Sequence, residues 1–246
     1  MKISLVNFTP RPVETMLFAF KNMHGSIPDS LDDLFEDGAA APPDLRKEFL
    51  EYCAAGPLTG GIQEFVSTVW ALKGVSRALQ QQLTRHRTAA YSIQSLRIVE
   101  RRKFASDGDF IQPPRTSSDD LRYWLSMKAI EVEYNRLLNE GFAAEDARGV
   151  LPLNITSPIT MSISLRGLSS LLSARLCRLT QGEFRRVGEE MIEEVCRKMG
   201  EEFRCFFSAP CEKTGFCPHP ECCGYREPFP SVRGKLSEKI RAFVKD

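Results

Sequence analysis

The chain has 246 residues, 42% hydrophobic and 26% charged, with 33 Lys and Arg against 32 Asp and Glu. That length buries a core without staples, and a formal net charge of +1 supplies no global field for nucleic acid or a membrane surface. No stretch has the apolar length of a bilayer span, and the opening "MKISLVNFTPRP" lacks the apolar run of a signal peptide.

"KISLVNFT" alternates apolar and polar residues and predicts an opening strand. "PVETMLFAFKNM" has Pro at a helix-entry position and helical apolar spacing. "GSIPDSLDDLFEDGAAAPPDL" reads as a loop with one helical turn, and "EFVSTVWALKG" as a strand ended by Gly74. "VSRALQQQLT" has Val75, Leu79 and Leu83 on one helical side, which puts Arg85, His86 and Arg87 at or just past a helix C-terminus. Ser92, Gln94, Ser95 and Arg97 follow in an expected extended run.

Asp119 and Asp120 are placed to cap a long helix, "LRYWLSMKAIEVEYNRLLNEG", which stops at Gly141 and carries Leu121, Leu125, Ile130, Leu137 and Leu138 at helical spacing. "AAEDARGVLP" predicts a short helical turn and "ITMSISLRG" a strand. From Leu168 to about Phe206 the period is helical again, with Val187, Met191, Val195 and Met199 on one face. With no internal repeat or low-complexity linker, one α+β domain is expected over residues 1–207. A Cys-rich tail with a short terminal helix follows over residues 208–246.

The segment "RHRTAAYSIQSLR" sets three cations beside hydroxylated residues. Cap decoration by the macrodipole accounts for the cations alone. Arg with Ser also makes a phosphate cradle, the guanidinium forking onto two oxygens and the hydroxyl adding a third donor.

Arg85-His86-Arg87, then seven residues, then Ser95 resembles the signature of flavin-dependent thymidylate synthases. "GVSRALQQQLTRHR", "LLNEGFAAEDARGVLP" and "SISLRGLSSLLSARLCRLTQGEF" resemble further segments of that family, in family order. The resemblance implies an α+β fold with a central mixed or antiparallel sheet flanked by long helices. It implies FAD, with NADPH as hydride source and methylenetetrahydrofolate as carbon donor, converting dUMP to dTMP. It also implies a homotetramer whose sites are built by several subunits; composition and cysteine usage add the expectation of a cytoplasmic protein with no nucleic-acid or membrane partner.

By the same resemblance Arg175 is the catalytic guanidinium that stabilises charge on the pyrimidine. Gln82, Arg85, Gln94, Ser95, Arg97 and Arg148 surround the nucleotide, with Ser95 and Arg97 on its phosphate. Ser67, Arg85, His86, Arg87, Ser164, Arg166 and Ser170 contact the flavin. Read by themselves, Arg148 can pair with Glu145, Arg166 and Arg175 suit solvated helix positions, and Ser164 and Ser170 suit small packing sites.

The chain departs from the family pattern at Phe65, where a His follows Glu64, and at Ala90, Ile98, Ser164, Ser170 and Gly182. Most of these swaps shorten a side chain on the flavin side, while Arg85, Ser95, Arg97 and Arg175 are intact. A divergent member is expected, acting on dUMP, acting on another pyrimidine nucleotide, or binding nucleotide without turnover.

Five of the eight Cys lie between Cys205 and Cys223, a distribution that fits reduced intracellular thiols with one special tail. Within "APCEKTGFCPHPECCGY", Cys211, Cys217, Cys222 and Cys223 are of the ligand type that zinc or an iron–sulfur centre selects. Reduced packing thiols are the plain alternative. A metal-dependent nucleic-acid binder is disfavoured, because no basic stripe flanks these cysteines.

Overall fold

The computed structural model describes residues 1–25, 27–112, 117–219 and 222–227 of the chain. Four antiparallel strands form one sheet: β1 (Lys2–Phe8), β2 (Ser67–Ser76), β3 (Ala89–Ile93) and β4 (Thr156–Ser164), in the order β1-β2-β4-β3. Alternation decides their faces. Ile3 and Leu5, Trp70 and Leu72, and Ile159, Met161 and Ile163 all point into the same core. Buried Thr68 is satisfied within the sheet, donating to the Ile163 carbonyl at 2.8 Å and accepting from Trp70 Nε1 at 2.9 Å.

Gly74 does not end β2. The register with β4 shifts between Leu72 and Val75, and Gly74 takes φ +66 there. A Cβ at that position would lie 3.2 Å from the Met1 Cα, so glycine serves both the bulge and the close approach.

Helix α1 (Pro12–Met23) matches its expected span, with Pro12 in the first turn. Helix α2 (Pro43–Ala55) follows two short 3-10 turns and precedes a 3-10 segment at Pro57–Phe65; the sequence reading named neither α2 nor that segment. Helix α3 (Arg77–Leu83) buries Leu79 and Leu83, whereas Val75 belongs to β2. The extended run after it is shorter than expected: β3 stops at Ile93, and Leu96 to Ile98 form a turn.

Helix α4 (Ser117–Asn139) begins two residues before Asp119, so Asp119 and Asp120 fall inside its first turn rather than at its cap. Its inward residues are Met127, Glu131 and Tyr134, with Met127 in a small second core beside Phe104, Ala105 and Ile155. Leu121 and Leu125, expected on the buried face, are exposed together with Trp124 and Val132. A helix this long carries two apolar stripes, and spacing alone does not say which one its own chain covers. Burial pushes the Glu131 carboxyl up, but donors from Lys128, Ser106 and Ala105 outweigh it and hold the group at about 2.

The turn expected at Ala143–Pro152 is α5 (Ala144–Ala147) with a 3-10 turn at Arg148–Val150. The long helical stretch expected after Leu168 is broken at Leu176–Gln181 into α6 (Leu165–Arg175) and α7 (Gly182–Met199). Val187, Met191, Val195 and Met199 are buried together as expected, and α7 packs on β1. Helix α8 (Pro210–Thr214) opens the tail, and the expected terminal helix lies outside the described residues. Among the described residues no helix is long and apolar enough to cross a membrane.

Candidate active site

The site is built around a helix anchored at both ends. Ser76, the last residue of β2, caps α3 by accepting from the Leu79 amide at 3.0 Å. Glu183, buried on α7, accepts from the Ser76 amide at 2.7 Å and from its hydroxyl at 2.5 Å. Gln82 Nε2 donates to Gln181 Oε1 at 2.6 Å, tying the far end of α3 to the start of α7. The Gln-x-Glu pair of the sequence is therefore the brace of the helix that leads into Arg85-His86-Arg87. Tyr91 lies with its hydroxyl 2.8 Å from the Leu83 carbonyl and 2.9 Å from that of His86, which fixes the turn carrying the three cations. Arg85 and Arg87 emerge exposed, with no hydrogen bond or ion pair to the described residues.

Arg175, the last residue of α6, meets this turn. Its Nη2 lies 3.4 Å from His86 Nε2, and its guanidinium stacks 4.7 Å from the centre of the Phe184 ring. Its Nε is buried without a partner among the described residues. Burial, and then the Arg175 charge, lower the pKa of His86. A guanidinium only donates, so Nε2 accepts and the neutral ring holds its proton on Nδ1. Arg175 and His86 thus meet, while Gln82 is held by Gln181; Phe184, Gln181, Glu183 and Ser76 are partners the sequence reading did not assign.

Ser95, Arg97 and Arg148 gather elsewhere. They sit beyond the Ile93 end of β3, whereas Arg85 to Arg87 precede its Ala89 end. A five-residue strand separates the two groups by roughly 17 Å. Arg97 donates from Nε to Glu145 Oε2 at 2.8 Å and from its amide to Ser95 Oγ at 3.2 Å. Arg148 reaches the Glu145 carbonyl at 3.0 Å, not its carboxylate. Ser95, Arg97 and Glu145 line one cleft of about 390 Å³. Nearby, Arg77 has a buried Nη1 without a partner among the described residues, and burial followed by the Arg148 charge lowers its pKa. Gln94, expected at the nucleotide, accepts from Arg101 at 3.1 Å through its side-chain oxygen, and Arg101 also holds Asp109.

The residues expected on the flavin side share the Ala89 end of the sheet. Ser67 pairs directly with Ser164 across β2 and β4, and Ala89 pairs with Ile163. Ser164 caps α6, accepting from the Gly167 amide at 3.1 Å. Arg166, one residue into α6, lies 3.7 Å from Glu64. A Cβ on Gly60 would come within 3.1 Å of the Arg166 guanidinium carbon, so glycine leaves that side chain its place. Ser170 is exposed one turn further on, and Phe65 is 62% exposed beside Glu64.

All eight cysteines are free thiols. Cys211 and Cys217 are buried in a small cluster with Ala209, against which Leu176 and Cys222 pack. Among the described residues no three Cys, His, Asp or Glu side chains already stand as a metal-ligand set.

A family profile described as "Thymidylate synthase complementing protein" matches residues 4–199. The chain is 32% identical over 222 residues to a flavin-dependent thymidylate synthase of Geobacter sulfurreducens, covering 89% of this chain and 91% of that one. It is 31% identical over 241 residues to another from Nitratidesulfovibrio vulgaris, covering 91% and 94%. Among solved structures, a Helicobacter pylori flavin-dependent thymidylate synthase with FAD and dUMP superposes at TM-score 0.64. Its identity is 17%, over 85% of this chain and 100% of that one. A UMP/dUMP methylase of Streptomyces cacaoi bound with 5-Br dUMP superposes at TM-score 0.64 and 20% identity, over 83% and 93%. With its braced Arg-His-Arg turn facing Arg175, the chain belongs to the thymidylate synthase complementing protein family, that of the flavin-dependent thymidylate synthases.

Proposed function

We propose that this protein is a flavin-dependent thymidylate synthase, methylating C5 of dUMP to give dTMP. Methylenetetrahydrofolate supplies the carbon, and NADPH supplies the hydride. The observation that carries this reading is the Arg175–His86 contact: a half-buried guanidinium with an unpartnered Nε, held beside the exposed cations Arg85 and Arg87.

Uracil C5 is a weak nucleophile until negative charge builds in the ring, and a guanidinium fixed at the ring edge stabilises that charge. Arg175 has this role. Neutral His86 orients it by accepting from Nη2. Ser95 and Arg97 take the phosphate, with Gln82, Arg85 and Arg148 around the nucleotide and Gln94 bracing Arg101 behind them.

The residues present fit FAD. Arg85 and Arg87 are unpaired cations for its pyrophosphate; Ser67, Ser164, Arg166 and Ser170 line the same end of the sheet; and Phe65 offers an exposed aromatic face. When bound, FAD carries reducing equivalents from NADPH to the one-carbon unit.

The two residue groups lie at opposite ends of β3, and in this reading a complete site draws them from different copies. A homotetramer meets this need, and the exposed Leu121, Trp124, Leu125 and Val132 stripe of α4 supplies apolar surface for subunit contact. Residues 1–207 form the catalytic domain and residues 208–246 an appended tail. Eight free thiols fit the cytoplasm.

The test is a visible spectrum with and without added FAD, followed by dTMP formation from dUMP, NADPH and methylenetetrahydrofolate. A colourless protein that takes up no FAD and forms no dTMP refutes the reading. Phe65 and the occupied Ser164 cap favour a variant reading in which the preferred pyrimidine differs or turnover is lost. UMP and dCMP assayed beside dUMP, with calorimetric binding of each, separate these outcomes.

A further inference from the structure

We propose that Cys177, Cys211, Cys217 and one thiol of the Cys222–Cys223 pair bind a structural zinc ion that staples the tail to the end of α6. The sequence put four thiols close together in the tail; the fold adds the fifth. Cys177 lies in the break between α6 and α7, two residues after Arg175, and is buried facing the tail. Cys177, Cys211, Cys217 and Cys223 line one cavity of about 600 Å³. Cys222 packs against the buried Cys211 and Cys217, and its thiol donates to the Arg226 carbonyl at 3.0 Å.

The Gly224 amide donates to Cys222 Sγ at 3.3 Å, a backbone donor of the kind that supports a metal-bound thiolate without a charged side chain. The Cys217 amide donates to the Glu227 carbonyl at 2.8 Å, closing the loop that carries Cys217 and Cys222. Arg178 and Arg226 stack on Tyr225, 3.9 and 5.2 Å from its ring centre, at the wall of the cavity. Two guanidinium groups there offset the net negative charge of a zinc tetrathiolate.

Apolar packing is a poor substitute explanation. Among the described residues the cluster holds, besides thiols, only Ala209 and Leu176, a small apolar area for a loop of Pro and Gly. Thiolate-rich sets select zinc over magnesium or calcium, and four protein ligands make a closed structural site. Binding must draw the loop in, since no three ligands already stand as a set among the described residues. Gly215 and Gly224, at φ +77 and +80, take left-handed turns on either side of Cys217 and Cys222.

The test is metal analysis of the full-length protein expressed with zinc and purified under reducing conditions. About one zinc per chain is expected. Cobalt substitution is expected to give the visible bands and the near-ultraviolet thiolate charge transfer of a tetrahedral tetrathiolate. Cys177→Ser, Cys211→Ser and the double variant Cys222→Ser/Cys223→Ser each lose the metal, while Cys53→Ser, buried in the main core, keeps it. Wild-type protein without zinc, zinc retained in Cys177→Ser, a cobalt spectrum lacking thiolate bands, or iron with acid-labile sulfide overturns the proposal. None of these readouts depends on dTMP synthesis.

Discussion

Glu183→Gln removes the charge that anchors α3 while keeping the side-chain shape. In the native protein both carboxylate oxygens accept from Ser76, at 2.7 and 2.5 Å, and Ser76 in turn accepts from Leu79. Glutamine keeps one acceptor and turns an NH₂ toward a group that was donating. The change loses a charge-assisted hydrogen bond in a buried place, about 1.5–3 kcal/mol. For a chain of this size, roughly 2–4 °C of Tm accompany each kcal/mol, so Tm falls by about 3–12 °C. Ser76→Ala deletes the cap and costs about 0.5–2 kcal/mol. Because the two residues share these hydrogen bonds, the double variant costs less than the sum by ~1 kcal/mol. Urea unfolding at fixed protein concentration measures all three, concentration being held because any subunit association would shift apparent stability. The brace also positions the turn after α3, so the KM for dUMP rises in Glu183→Gln. A Glu183→Gln variant within about 0.5 kcal/mol of the parent, or strict additivity with Ser76→Ala, refutes the brace.

Arg175→Ala lowers kcat by about 10²–10³-fold with a far smaller change in KM, as expected for charge stabilisation in the transition state; steady-state kinetics beside a melting curve check it. Arg97→Ala weakens dUMP binding by about 10–100-fold, the value of a charged hydrogen bond. Glu145→Gln, which frees Arg97 from an exposed ion pair, leaves stability unchanged within ~1 kcal/mol and tightens dUMP binding up to about fivefold, both read by calorimetry. His86 has a folded pKa below its unfolded value of 6.5, so the unfolded chain takes up the proton first as pH falls. Its stability contribution is complete above pH 6.5 and is lost as pH drops through the folded pKa. The urea midpoint of the wild type therefore falls more steeply than that of His86→Asn below pH 6.5.

The sequence by itself determined what depends on near neighbours. Alternation in "KISLVNFT" and "ITMSISLRG", Pro12 at a helix entry and Gly141 after a long helix were legible because side-chain period and backbone freedom act within a few residues. The Arg-His-Arg turn and its Ser were legible as a motif through their resemblance to the family signature. Only the tertiary structure decided which groups meet. Glu183 reaches Ser76 across 107 positions and Arg175 reaches His86 across 89, and the registers of β2 and β3 on β4 set those meetings. It also placed Cys177 beside the tail thiols, left Leu121 and Leu125 facing outward, and drew Ser95 and Arg97 away from Arg85 to Arg87. Packing of a whole core fixes such long-range geometry, and a linear pattern of polar residues does not encode which distant partner will satisfy each one.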